Sequence, residues 1–307
     1  MKGLWFIDDI DIYDEFRVGI EKGGYNDLFR VPSLKSPESN EWHENDGIEI
    51  DLEAPKLQNK QLSIKFSAVQ HELVNNFIAM LSEPGYRNLY IPSLGKTWQL
   101  RLSSEVNNQM WRKGQKHEFS FYDDNPRRFI AYSQPAGHGM QLQQSFYSID
   151  GIRLDQYGIV TEESRANIFK MPVIRPNLES DILVVDGKIV STQTANMRPK
   201  NVALKLCFYC NDINTFWQNY SAFFYNITKP GERIFYIKEA EEEIPCYYES
   251  TSDFQFARDG EKVILKFTLN LTFIVFRIRE TDYLLAAEDY SLIVLEDSQT
   301  FIDMEVY

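Results

Sequence analysis

Any chemistry in this chain would start from its carboxylates. Asp8, Asp9, Asp11 and Asp14 lie within seven positions, and glycoside hydrolysis needs paired carboxylates, one as acid and one as nucleophile or base. The competing reading is a charged edge strand that discourages aggregation. The thiols offer less. Cys207 and Cys210 have the two-residue spacing of a redox or zinc half-site, but they sit in the apolar run 204–209, and no second Cys or His pair accompanies them. With Cys246 they make an odd total, which argues for buried small residues and against a disulfide framework.

His43, His71, His117 and His138 show no i, i+4 or HxH spacing, so they predict no metal site. The acidic run Glu239-Ala240-Glu241-Glu242-Glu243 reads as a solvated hairpin tip. GxSxG, P-loop, GxGxxG and HExxH patterns are all missing. The residues therefore predict no catalytic site, no cofactor and no bound metal.

The elements that would position these residues come in two copies. Leu28-Phe29-Arg30-Val31-Pro32 returns as Ile168-Phe169-Lys170-Met171-Pro172, 140 positions on. The same offset places Asp46-Gly47 on Asp186-Gly187 and the alternating Leu62, Ile64, Phe66 on Val202, Leu204, Leu206. Ile7-Asp8-Asp9-Ile10 falls on Ile149-Asp150-Gly151-Ile152 at an offset of 142. Of the four clustered acids only Asp8 meets an acid in the second copy, Asp150; the others meet Gly151, Arg153 and Gln156. That weakens the hydrolase reading.

Each copy opens with two short strands, the second at 17–20 and at 158–160. The Leu28–Pro32 motif and its repeat read as strand ends stopped by proline. A polar loop follows, 33–45 and 175–180, and its Asp-Gly pair signals a turn. In the first copy this loop carries Trp42, which is either a contact site or a ring folded back on its own sheet.

Val74, Phe77, Ile78 and Leu81 are spaced as one face of a helix, and Tyr220, Phe223, Phe224 and Ile227 take the same places 146 positions on. Both helices stop at Pro-Gly, at 84–85 and 230–231. Strands at 87–91 and 233–237 follow, then alternating runs through Trp98, Leu100, Leu102 and Ile244, Cys246, Tyr248. The last strands are expected at 107–111 and 116–122, and at 253–257 and 262–269.

The second closing strand is long. Val263, Leu265, Phe267, Leu269, Leu271 and Phe273 alternate without a break. This run is expected to serve as a β-element bridging subunits, so these residues and Trp42 are the candidate interaction residues. The expected organisation is a first unit over 1–123, a linker over 124–146, a second unit over 147–275 and a C-terminal β extension over 276–307.

Composition agrees with two units. The 307 residues suit two domains better than one. The 43% hydrophobic content supports real cores, and 14% aromatics suits sheet surfaces. A net charge of −13 repels phosphate. That excludes a sequence-reading nucleic-acid binder while leaving room for a surface past which DNA slides. No basic-then-apolar leader and no run of 18 apolar residues is present, so no membrane association is expected.

The order strand, strand, long loop, strand, helix, Pro-Gly turn and strands in hairpins resembles the tail-tube domain of long-tailed bacteriophages. The Ile149-Asp150-Gly151-Ile152 opening, the two Pro-ended motifs and the helix before Pro-Gly are similar to distal tail proteins. The resemblance covers residues 5–123 and 147–275. It implies a mainly β, α+β fold: two tandem β-sandwich or partial-barrel domains with one helix each. It also implies a non-enzymatic structural role in a phage or prophage tail, made in the bacterial cytoplasm. The partners implied are other tail proteins and further copies of the chain, in a ring of three or six that passes DNA as cargo. The chain departs from distal tail proteins in carrying the tube-like unit twice, as baseplate hubs do. Two other readings stay open: a duplicated β-sandwich that binds carbohydrate or a cell surface through Trp42, Trp98 and Trp111, and a glycoside hydrolase using the Asp8–Asp14 cluster.

Overall fold

The computed structural model describes residues 2–69, 71–111, 114–137, 142–181, 183–184, 186–190 and 196–276. The extension expected over 276–307 lies outside the described residues except for Phe276, as do His138 and the side chains of His71 and Trp111.

In chain order the first unit holds β1 (Phe6–Ile7), β2 (Ile10–Asp11), α1 (Ile12–Phe16), β3 (Val18–Ile20), β4 (Ser39–Asn40), β5 (Glu49–Ile50), β6 (Lys60–Ala68), α2 (His71–Ser82), β7 (Arg87–Ile91), β8 (Lys96–Trp111) and β9 (Gly114–Asp123). The second holds β10 (Tyr147–Ile149), β11 (Ile152–Arg153), β12 (Ile159–Glu162), α3 (Arg165–Phe169), β13 (Glu179–Ser180), β14 (Ile189–Val190), β15 (Lys200–Cys210), α4 (Ile213–Thr228), β16 (Arg233–Ile237), β17 (Glu242–Asp259) and β18 (Lys262–Phe273).

The protein is mainly β, and its two large sheets have one topology. The first runs β2-β1-β7-β8-β9-β6-β3 and the second β11-β10-β16-β17-β18-β15-β12. Every described pairing within them is antiparallel. Alternation sets which face is buried. Leu62, Ile64 and Phe66 on β6 and Val202, Leu204 and Leu206 on β15 all point into the core. Helices α2 and α4 cover this apolar side, with Val74, Phe77 and Leu81 in one and Phe223, Phe224 and Ile227 in the other fully buried. One continuous cluster of buried apolar side chains runs through both units.

Two sequence expectations change. The runs expected as separate strands at 98–102 and 107–111 form the single 16-residue β8, and their counterparts form the 18-residue β17. Irregular pairing between Leu102 and Ser104 and again between Glu105 and Asn107 breaks the two-residue period, with matching breaks in β17. A β-bulge moves later side chains to the other face, so one strand reads as two.

The second correction concerns the recurring motif, which is a short helical turn and not a strand end. Residues Asn26–Phe29 make a 3₁₀ turn and Arg165–Phe169 make α3. Each turn exposes carbonyls at its end, and in both units a buried lysine meets one: Lys60 Nζ donates to the Leu28 carbonyl at 2.6 Å, and Lys200 Nζ donates to that of Ile168. The two lysines are 140 positions apart, as are the carbonyls they hold. A cation at a helix C-terminus is favoured by the peptide dipoles.

That arrangement has a pH signature. Burial pulls both Lys60 and Lys200 down to about 8 from the ordinary 10.5. Below pH 8 folded and unfolded chains both hold these protons. Between pH 8 and 10.5 the unfolded chain holds more, so the lysines' contribution to stability rises with pH. Urea midpoints of wild type, Lys60→Met and Lys200→Met measured from pH 7 to 10 are expected to diverge, wild type gaining on each variant above pH 8. Parallel curves would exclude the effect.

Candidate functional site

The clustered aspartates are structural. Asp8 and Asp9 form the two-residue turn between β1 and β2, with φ of 49° and 65°, and Asp150 and Gly151 repeat it with 49° and 78°. Two-residue hairpin turns of this kind need positive φ at both positions, which Asp and Gly tolerate best. The Asp8 carboxylate accepts from the Asn88 amide at 2.8 Å and from Arg87 at 3.3 Å. Asp150 does the same with the Ile234 amide at 2.9 Å and Arg233 at 2.7 Å. Asp11 caps α1, accepting from the amides of Tyr13 at 3.0 Å and Asp14 at 3.2 Å, while Asp14 pairs with Lys2 at 2.9 Å. These bonds hold turns, a helix end and a surface ion pair.

The three thiols are buried. Burial pushes Cys207 and Cys210 up to about 11 and Cys246 further, and a protonated thiol is neither nucleophile nor metal ligand. His117 bonds Glu105 at 2.6 Å and stacks flat on Phe119. It lines a cleft of about 210 Å³ with Glu21, Lys65, Lys116 and Glu118, across which Lys116 pairs with Glu21 at 2.6 Å. Among the described residues no group of three or more His, Cys, Asp or Glu comes together as a metal site, and no helix is long and apolar enough to cross a membrane.

The sequence-derived interaction residues separate. Trp42 is half exposed in the loop before β5, with its indole N–H donating to Glu49 at 2.8 Å. Val263, Leu265, Phe267, Leu269, Leu271 and Phe273 are at most 2% exposed. Their alternating face is part of the chain's own core under α4.

The two units meet elsewhere, at the edge of β17. β16 pairs with β17 only over residues 242–246, and β18 runs along the opposite side. Among the described residues, one edge of β17 beyond residue 246 therefore lacks a strand. The first unit's loop covers it. The Leu34 amide donates to the Glu249 carbonyl at 2.9 Å. The Thr251 hydroxyl donates to the Val31 carbonyl at 2.7 Å, as does the Tyr248 hydroxyl at 2.9 Å. Asn26 Oδ1 accepts from the Phe256 amide at 3.2 Å.

Phe29 is the anchor. Its ring is fully buried, stacks on Phe256 with centroids 4.7 Å apart and packs against Phe216 and Trp217 of α4. Tyr220 of α4 donates to the Phe29 carbonyl at 2.7 Å. Farther along the loop, Gly47 lies against the Ile274 carbonyl at φ 76°, where a Cβ would collide with that carbonyl. Sequence reasoning found the motif but missed its partner. The pattern of α4 gave no signal of it, because Phe216, Trp217, Tyr220, Phe223 and Phe224 fall on one apolar face of ordinary width.

No family model matches the chain, and no curated protein matches it. Among solved structures it is similar to that of the SPP1 Dit protein, described as a paradigm of the hub adsorption apparatus in phages infecting Gram-positive bacteria. The similarity has a TM-score of 0.29 and 10% identity and covers 88% of this chain and 98% of that one. A likeness of that size leaves the reading to the chain's own geometry.

If Phe29 anchors the two units, Phe29→Ala should cost about 3–5 kcal/mol in urea unfolding. Phe169→Ala, at the corresponding and more exposed position, should cost clearly less. Equal losses would show that the Phe29 contact carries no special share.

Proposed function

We propose that this chain is a structural component of a phage or prophage tail, a ring former of the distal-tail or baseplate-hub kind with a central passage for DNA. The observation that carries the reading is the pair of seven-stranded sheets of one strand order, joined in a single chain by a loop laid on a strand edge. Each unit has the main elements through which the sequence resembles tail-tube domains, short opening strands, a long loop, a strand, a helix, a Pro-Gly turn and strands in hairpins, with a third short strand and a short helical turn added before the loop. Edge-to-loop joints suit assembly, because closing a ring of such units leaves no edge open. The net charge of −13 suits a passage through which a polyanion moves without sticking.

The rival readings find less support. Trp98, which a glycan-binding face would use, is completely buried, and the aspartates a hydrolase would use are held in turns and caps.

Negative-stain microscopy of the purified protein tests the proposal. Closed rings of three or six copies with a central opening of roughly 30–40 Å are expected, together with no retention of duplex DNA at physiological salt. Compact particles without an opening would overturn it.

A further inference from the structure

The first unit has the same open edge as the second, and nothing in the chain covers it among the described residues. β7 pairs with β8 only over residues 96–100, and β9 takes the other side. Beyond Leu100 one edge of β8 is therefore free of strand pairing among the described residues. Residues 103–110 are all exposed, Val106 and Met110 by 56% and 70%. The sheet register aligns this edge with that of β17. Met110 lies opposite Gln115 as Phe256 lies opposite Leu265, and Leu102 lies opposite Phe121 as Tyr248 lies opposite Leu271.

The covering loop also exists twice. In the first unit it contains a bridge between Leu34 and Leu57 and the β4–β5 hairpin; in the second, a bridge between Ile174 and Met197 and the β13–β14 hairpin. The flanking backbone bonds repeat as well. Lys35 donates to Lys56 and Gln58 to Ser33, at 2.7 and 2.9 Å; Arg175 donates to Asn196 and Arg198 to Val173, at 2.7 and 2.9 Å. The two loops differ in cover. Val31 and Leu34 are buried on the second unit, whereas Met171, Val173, Ile174 and Leu178 are each more than half exposed.

We infer that residues 169–174 of one copy dock on the open edge of β8 in a second copy, repeating between chains the contact that residues 29–34 make with β17 inside the chain. The Ile174 amide then takes the Ser103 carbonyl as the Leu34 amide takes that of Glu249, Met171 falls at Leu102 and Glu105 as Val31 falls at Tyr248 and Thr251, and Phe169 falls on Met110 as Phe29 falls on Phe256. The surface is heterologous, loop to edge, so each copy offers one of each and copies join head to tail. The inference deepens the ring-forming reading and rests on one part of it, self-association.

Cysteine cross-linking tests it, since the native thiols are buried. Ser103→Cys and Ile174→Cys sit at exposed positions on the two faces. The double variant, oxidised, is expected to give a series of covalent multimers on a non-reducing gel. An equimolar mixture of the two single variants is expected to stop at the dimer of two chains. Met110→Asp and Ile174→Asp should each weaken self-association, read by sedimentation velocity, on the order of tenfold or more. Circular dichroism confirms that each variant is folded, and the wild-type mass up to high concentration completes the set. A monomeric wild type overturns the inference, as does a self-associating wild type whose double-cysteine variant gives no cross-link. Rings without the cross-link would remove this contact and keep the ring; cross-linked open filaments would keep the contact and remove the ring.

Discussion

The structure depends on a mismatch of strand lengths. β8 and β17 run far past β7 and β16, so each sheet carries a stretch of strand with a partner on one side only. Unpaired peptide groups on such an edge must be solvated or covered. At β17 they are covered by the chain itself, through the first unit's loop. The loop must leave β3, reach the other unit, lie along an edge and return to β6. Its starting point has to be rigid, and the buried Lys60 holding the Leu28 carbonyl provides that, one residue before the ring of Phe29 enters the second unit.

Carboxylates that look reactive in a sequence are often answers to backbone problems, and the β1–β2 turn is a plain instance. Both turn residues need positive φ, and the amide of the β7 residue opposite needs an acceptor. Asp8 and Asp150 meet both needs in their respective units. Asp9 meets only the first, so glycine serves equally well at the corresponding position, Gly151. The loss of acids between the copies therefore marks which positions need the carboxylate and which need only the backbone conformation.

Period and punctuation made much of the fold legible. The alternation of β6 and β15 is intact because those strands are regular along their length, and α2 and α4 end where Pro-Gly says. The bulges of β8 and β17 hid the length of those strands, since a shifted period reads as a loop. The role expected of β18 meets a related limit. The long alternation of Val263 to Phe273 reports burial and says nothing about whose atoms do the burying; α4 and the sheet's own curl supply them. A strand edge, where the contact is made by peptide groups, leaves almost no mark on residue type. Of the edge contacts only Phe29 and its aromatic surroundings are written in the side chains.

The two edges differ in a way that fits their different tasks. The edge inside the chain is covered from the moment of folding, so it carries buried hydroxyls, Tyr248 and Thr251, that would be costly without the Val31 carbonyl. The matching positions on β8 are Leu102 and Glu105, and around them stand Asn107, Asn108 and Gln109. An edge that must stay in solution until another molecule arrives is safer with charged and amide side chains, which keep identical edges from pairing with one another. A loop with an aromatic ring, Phe169, for Met110 and a backbone amide for the Ser103 carbonyl can still approach it. Such a contact has no buried hydroxyl to satisfy and less aromatic surface than Phe29 finds, so it is weaker than its internal counterpart. A joint between chains that forms after folding, at a concentration the assembly itself sets, calls for that order of strengths.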